Sequence, residues 1–304
     1  MDNGGVTLLG GMTHTMNSMK YVGKDEPLQA EQGLTLLPSA VKIARRDFIG
    51  RQLLPIRYID PATQTFSYDT LTEMSAARID PKYPGAETLD ITNFTRTPLN
   101  IPCLHKEFQI PKADVDSSRQ TGIPLNTTYS DAATYQVGLL EDTLIMKGTT
   151  TQGTVINGLY NGAGNTNATN YDWATPADII TSVNASITLM AADHIYRPFN
   201  ILVASEQDGY LSVLVNDGPS TYRDWVQNRI GGRIFTSEGL TDGTALLMKA
   251  NPVGLFEYVV AQDLTVETET ESMRDGAGLF GRAFVRGLPV IYNSNALCSM
   301  TDLT

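Results

Sequence analysis

Hydrophobic positions along the chain change their period several times, and each change marks an element. In LTLLPSAVKIARRDFIGRQLL, Leu37, Ala40, Val41, Ala44 and Phe48 recur at helical spacing, and Pro38 and Ser39 suit a first turn, so an amphipathic helix is predicted. Over 56–111 the pattern becomes extended. IRYIDPATQTFSYDTLT and LDITNFTRTPLNIPCLHKEFQIP are rich in Thr, Ile, Phe and Tyr, and between them lies the polar, Pro-containing EMSAARIDPKYPGAET. Neither stretch has a continuous core-like run. They predict a protruding β-hairpin, an element that is unstable alone and calls for a partner surface.

Helical spacing returns over 127–147, with Ala133, Val137, Leu140 and Leu144 on one stripe and Gly148 as the stop. Its length corresponds to a rod of about 30 Å. NGAGNTNATNYDWATP is a loop by composition, and the next helix begins at Thr175 with Pro176 in its first position. FNILVAS follows as a buried strand, then helices near 207–215 and 222–229 and the strand TALLMKA, so 172–258 has the makings of a compact α/β lobe. VVAQDLTVETETESM and RAFVRGLPVIYNSNALCSM are extended, and both are expected to return to the first lobe and pair there.

Composition adds three points. The 304 residues exceed the roughly 100 to 200 of a single-core domain, so two packed lobes are expected. Charged residues are somewhat few at 18%, which fits a surface covered by partners. A net charge of -11 argues against a free-standing nucleic-acid binder, since phosphate neutralisation needs clustered Lys and Arg; any nucleic-acid contact is local. The locally basic segment carries Lys42, Arg45 and Arg46, then Arg51 and Arg57, with only Asp47 interrupting. It reads either as a solvated helix face or as a surface turned toward nucleic acid or a neighbouring acidic patch.

Candidate chemistry is sparse. Cys103 and Cys298 stand far apart and outside any CxxC pattern, and read as buried thiols of a reducing compartment, with a disulfide or a nucleophile as lesser readings. His14, His105 and His194 are isolated, so no metal site is expected. Phosphate-binding, nucleophile-elbow and zinc-protease motifs are missing, and no cofactor or enzymatic activity is expected. Glu141 and Asp142 are adjacent on a helix, point about 100° apart and do not share one site. Glu267, Glu269 and Glu271 project from one strand face about 7 Å apart, too wide to close on one ion; solvation or pairing with an Arg of a neighbouring subunit is expected. No apolar run is long enough for a transmembrane helix, and the first 34 residues read as a Gly- and Met-containing arm without a signal peptide.

The order of these elements carries a resemblance. An amphipathic helix, a long hairpin, a strand ending in FQIPKADVD, a long helix with LLEDTLIMKG and then INGLYN are together similar to encapsulin shell proteins and to major capsid proteins of tailed bacterial or archaeal viruses. FNILVASEQDGYLSVL resembles the strand and helix of their axial lobe, and VVAQDLTVETETE with RAFVRGLPVIYN resembles their final strands. The resemblance spans about 36–300. It implies an α+β chain of the Hong Kong 97-type capsid fold: an N-terminal arm over 1–34, an N-terminal helix over 35–55 and an extended loop over 56–103. The peripheral domain then covers 104–171 and 263–304, with a spine helix over 127–147, and the axial domain covers 172–262.

The function implied is that of a structural major capsid protein, self-assembling as pentamers and hexamers into an icosahedral shell around double-stranded DNA. Such a protein is located in the virion capsid and assembled in the host cytoplasm. The alternative is an encapsulin nanocompartment enclosing cargo enzymes. The arm ahead of the first helix favours the viral reading, because common encapsulins open almost directly with that helix. No fused scaffolding segment is evident, so a separate scaffold, or none, is expected, along with portal and cement proteins as further partners. Lys42, Arg45, Arg46 and Arg51 are the candidate interior basic face, in non-specific contact with DNA. Arg78, Lys82 and Tyr83 are the candidate inter-subunit hairpin tip, where Lys82 has no Asn matched by motif for a cross-link.

Overall fold

The computed structural model describes residues 45–77, 79, 91–111, 125–151, 154–215, 219–269 and 279–303. Two sheets organise them. The first has the order β1-β11-β12-β4, built from β1 (Ile56–Tyr58), β11 (Phe256–Glu269), β12 (Leu279–Ile291) and β4 (Cys103–Ile110). β1 runs parallel to β11, and the other two pairings are antiparallel. Across this sheet lies the spine helix α2 (Leu125–Met146), which buries Ala133, Val137 and Leu144 against Leu104, Ala283 and Val285. Leu140 of the predicted stripe is instead exposed. The buried side of this helix widens at its C-terminal half to take in Glu141, Asp142, Ile145 and Met146, which leaves Leu140 on the flank.

The second sheet has the order β7-β13-β10-β8-β9, from β7 (Asn165–Asn167), β13 (Leu297–Met300), β10 (Ala245–Lys249), β8 (Phe199–Ala204) and β9 (Ile234–Ser237). Strand side chains alternate faces, and both faces here are covered. Ile201, Val203, Ala245 and Leu247 meet α3 (Pro176–Ala192) and α5 (Tyr222–Ile230) through Ile179, Val183, Val226 and Ile230. Leu202, Ala204, Leu246 and Met248 face the other way, into a core shared with Ile145, Met146, Leu159, Phe256 and Tyr258. This double burial explains the unbroken apolar runs ILVA and ALLM. A further short helix, α4 (Ser205–Leu211), follows β8 directly.

β11 and β12 return to the first sheet as their extended patterns predict. The chain's last strand does not: β13 pairs with β10 and β7 in the second sheet. Its four residues are all buried, a pattern that suits a strand enclosed on both faces. Near the start, the helix expected through Phe48 ends otherwise. Residues 45–49 have no regular secondary structure, and a single helical turn, α1 (Gly50–Leu53), follows them. The arm and the earlier part of that helix lie outside the described residues.

Within 56–103, Ile56–Tyr58 pairs in the first sheet and Cys103 opens β4. The paired part of the extended loop is β2 (Thr65–Leu71) against β3 (Phe94–Asn100), in antiparallel register from Thr65↔Asn100 to Leu71↔Phe94.

INGLYN closes the spine helix. After a small hairpin, β5 (Gly148–Thr151) and β6 (Thr154–Asn157), the amides of Leu159 and Tyr160 donate to the carbonyls of Ile145 and Met146 at 2.9 and 2.7 Å. These are carbonyls that a helix end leaves without intrahelical partners. Gly148 has a φ of 77°, and a Cβ on Gly158 would lie 2.2 Å from the Gly148 nitrogen. Backbone meets backbone here, so neither neighbour can yield. Gly158→Ala is therefore expected to cost about 3 kcal/mol or more, read as a lowered denaturation midpoint of the purified subunit.

Candidate assembly surfaces

The acidic pair of the spine helix is buried, and each carboxylate is held by several partners. Asp142 Oδ1 accepts the backbone amides of Gly50 and Ile49 at 2.8 and 3.1 Å, and Oδ2 accepts Arg46 at 3.2 Å. Glu141 Oε1 accepts Arg51 Nε and Nη2 at 3.0 and 2.8 Å and the Tyr258 hydroxyl at 2.7 Å. Arg51 also reaches Asp263 at 2.8 Å. As their angular separation predicts, the two carboxylates address different partners. They are nonetheless members of one network, which joins residues 46–51, the spine helix and β11.

The same network accounts for the missing helix over 45–49. An incoming carboxylate takes the amides at 49 and 50, and the chain passes close enough that a Cβ on Gly50 would lie 3.0 Å from Asp142 Oδ1. The Phe48 ring sits on Gly138 and against Tyr135, with ring centroids 5.4 Å apart. Burial pushes the Asp142 carboxyl above its usual range, while Gly50, Arg46 and Ile49 pull it down. Burial, with the Glu141 charge beside it, drives the Tyr258 hydroxyl far above its ordinary value, so it remains a donor.

The basic segment is thus largely occupied within its own chain. Arg46 holds Asp142, Leu139 O and Thr143, and its Nε is buried without a hydrogen-bond partner among the described residues. Arg51 holds Glu141 and Asp263, and Arg57 pairs with Glu257 at 2.8 Å. Arg45 is exposed, its guanidinium 4.6 Å from the Tyr135 ring centre. Lys42 lies outside the described residues.

The hairpin has two unlike faces. Phe66, Tyr68 and Leu99 turn inward onto Val259, Leu288 and Val290, and Tyr68 meets Tyr292 edge to face. On the other face stand Asp69 with Arg96, a two-pronged ion pair at 2.8 and 2.9 Å, and beyond it Leu71 opposite Phe94. Leu71 and Phe94 are 60% and 67% exposed, and Met74, Ile79 and Ile91, farther along the same segment of chain, are exposed as well. Arg78, Lys82 and Tyr83 lie outside the described residues.

Other candidates resolve simply. Glu267 pairs with Arg282 of its own chain, its cross-strand partner, at 2.7 Å. Glu271 lies outside the described residues. Both cysteines are free; Cys103 is exposed, at the start of β4, instead of buried. Cys298 is buried, and burial raises its thiol to about 11, which disfavours the thiolate that a nucleophile requires. Among the described residues no group of three His, Cys, Asp or Glu is placed to hold a metal, and no helix is long and apolar enough to cross a membrane. Tyr258, Tyr292 and Glu257 escaped sequence reading, because nothing in EYVVA or VIYN separates a network residue from a core one.

Comparison with known proteins places this geometry. Several solved structures share the fold. The capsid of the Myoviridae phage XM1 matches with a TM-score of 0.71 at 11% identity, over 91% of this chain and 99% of that one. A chain from Mycobacterium phage Adephagia matches with 0.65 at 15%, over 91% and 98%. The virus-like particle from Pyrococcus furiosus matches with 0.61 at 14%, over 84% and 92%. In sequence, the type 1 encapsulin shell protein EncA of Myxococcus xanthus is 27% identical over 153 residues, 50% of this chain. The chain spans about half the length of that curated relative, 52%. The profile of the Linocin_M18 family, described as the encapsulating protein for peroxidase, matches residues 19–274. With the Hong Kong 97-type architecture of its phage neighbours and a family match over most of its length, the chain belongs to the Linocin_M18 family and is a capsid-like shell protein.

Proposed function

We propose that copies of this chain close into an icosahedral shell of pentamers and hexamers, with the hairpin of each subunit laid on its neighbour. The observation that carries this reading is the Leu71–Phe94 face. It is a contiguous apolar surface on an element braced from behind, and a monomeric protein rarely presents such a surface without a use. The contact is heterologous, one patch on a different patch, and repeated around a rotation axis it closes into a ring.

For the contents, the reading taken here is double-stranded DNA of a tailed virus. It is supported by the extent of the phage matches, which run over nearly the whole of each phage subunit. In that setting Arg45 is the residue of the basic segment assigned to the interior, since Arg46 and Arg51 are held by carboxylates of their own chain. A second reading, an encapsulin holding cargo enzymes, is supported by the family description and by EncA.

Electron microscopy of the purified full chain tests the shell, and nuclease treatment of particles from the native source tests the filling. Closed particles containing nuclease-protected DNA are expected. A discrete subunit of 33.1 kDa at every concentration would overturn the shell. Particles with a co-purifying enzyme and no DNA would replace the viral reading with the second one.

A further inference from the structure

Two short links join the hairpin to the body, residues 59–64 before β2 and Ile101–Pro102 before β4, and the first of them carries the braced turn. Beyond β1, the Ile59 amide still donates to Val260 O at 2.9 Å. The next four residues, Asp60 to Thr63, form a tight turn, with Thr63 N–H to Asp60 O at 3.0 Å and Ala62 N–H to Asp60 Oδ1 at 2.7 Å. Asp at the first position and Pro61 at the second are the residue types that stiffen such a turn. A turn of this kind fixes its own shape but not its direction relative to the sheet.

That direction is held by Arg286 of β12, whose guanidinium donates to Pro61 O at 2.6 Å and to Thr63 O at 2.8 Å. Its partner on β11 is Gln262, and β11 departs from regular register on both sides of that residue. Such irregularities bend a strand and re-aim the side chains beside it. A second brace lies farther along the hairpin. Tyr68 packs edge to face on Tyr292 and donates to Ile291 O at 3.4 Å, while the Tyr292 hydroxyl donates to Glu257. Two braces at different distances from the junction define an angle.

We infer that Arg286 is a positioning residue for assembly: it sets the angle at which the hairpin leaves the body, and through that angle the curvature of the shell. The inference rests on the shell reading above. A strand of seven residues extends about 24 Å, so a tilt of about 10° at its base moves its far end by about 4 Å. That displacement approaches the spacing between neighbouring strands, about 4.8 Å, enough to change which groups of the adjacent subunit the Leu71–Phe94 face meets. Planar geometry matters as much as charge, because the guanidinium fork reaches two carbonyls at once.

The test compares full-length wild type, R286A and R286K by electron microscopy, thermal unfolding, and hydrogen exchange of the subunit. R286A is expected to unfold near the wild-type temperature, to exchange faster the Ile59 amide, which ties the junction to the sheet, and the Ile101 amide, which donates to Gln64 O at 2.9 Å just past the turn, and to give several particle diameters or open sheets where the wild type gives one class. R286K, which keeps the charge without the fork, is expected to restore the single class in part. R286A particles of wild-type diameter would overturn the size-setting role, and unchanged protection at Ile59 and Ile101 would overturn the clamp itself. If R286A does not fold, R286K decides: wild-type diameter with wild-type exchange overturns the inference. Absence of particles from the wild type would overturn the shell reading, and the curvature role with it, whereas the exchange result would still separate a clamped junction from an unclamped one.

Discussion

Asp142→Ala is expected to destabilise the subunit by about 3 to 5 kcal/mol, the usual cost of removing one partner of a buried ion pair. The Asp142 side chain is 2% exposed and that of Arg46 is 14% exposed, so the substitution strands a guanidinium that already has one buried nitrogen unpartnered. It also frees the amides of Ile49 and Gly50 together. Denaturant unfolding gives the magnitude, and limited proteolysis of 45–50 locates the effect. Asp142→Asn should cost less, because the amide oxygen still accepts from the backbone while the charge opposite Arg46 is lost. An Asp142→Ala subunit within about 0.5 kcal/mol of wild type, the scatter of an ordinary surface substitution, would show that the network does not hold this segment.

The sign of any pH effect differs between residues of this network. Because burial places the folded value of Asp142 above its ordinary one, the folded state binds that proton more tightly than the unfolded chain does. Its titration therefore favours folding at low pH, and that contribution is lost as pH rises through the folded value. Asp263 behaves oppositely. Burial alone would raise it, but Arg51 and the Leu264 amide outweigh burial and hold it below the usual range. Its contribution is present above the ordinary carboxylate value and is lost as pH falls through the folded one.

Leu71→Asp combined with Phe94→Asp is expected to abolish particles and leave the subunit folded. Each side chain contributes about 1.5 to 3 kcal/mol when fully buried, so a contact that loses both is weakened by about 3 to 6 kcal/mol, and the loss recurs at every copy. Both residues lie on the exposed face of the hairpin, away from Val259, Leu288 and Val290. The unfolding temperature should move little. Sedimentation should show the double variant as small species where the wild type sediments as particles; wild-type particle yield would mean that this face makes no assembly contact.

Much of the architecture was legible because each element carries its own period. The spine helix, predicted over 127–147 and found at Leu125–Met146, has apolar residues every three or four positions and a glycine at its end. Thr175 and Pro176 mark the start of α3, and FNILVA reads as a buried strand because both its faces are apolar. Leu140 was misplaced because periodicity alone treats carboxylates as surface, and here Glu141 and Asp142 lie inside. Cys103 was misplaced because a thiol carries no local signal of exposure.

By itself, the sequence determined where most of the helices and strands form, that one long hairpin has no core beneath its outer face, and that the order of elements resembles that of a shell subunit. These properties depend on neighbours within a few residues, or on the order of segments. Tertiary structure alone decided which charges are paired and that the last strand joins the second sheet. Arg46 and Asp142, 96 positions apart, meet because the segment after the arm crosses the spine helix. Arg286 reaches a turn 223 to 225 positions away, and β13 crosses to the second sheet although the strand before it belongs to the first. A salt bridge or a strand pairing is a meeting in space, and its energy depends on burial and distance, neither of which is encoded in the spacing of residues along the chain.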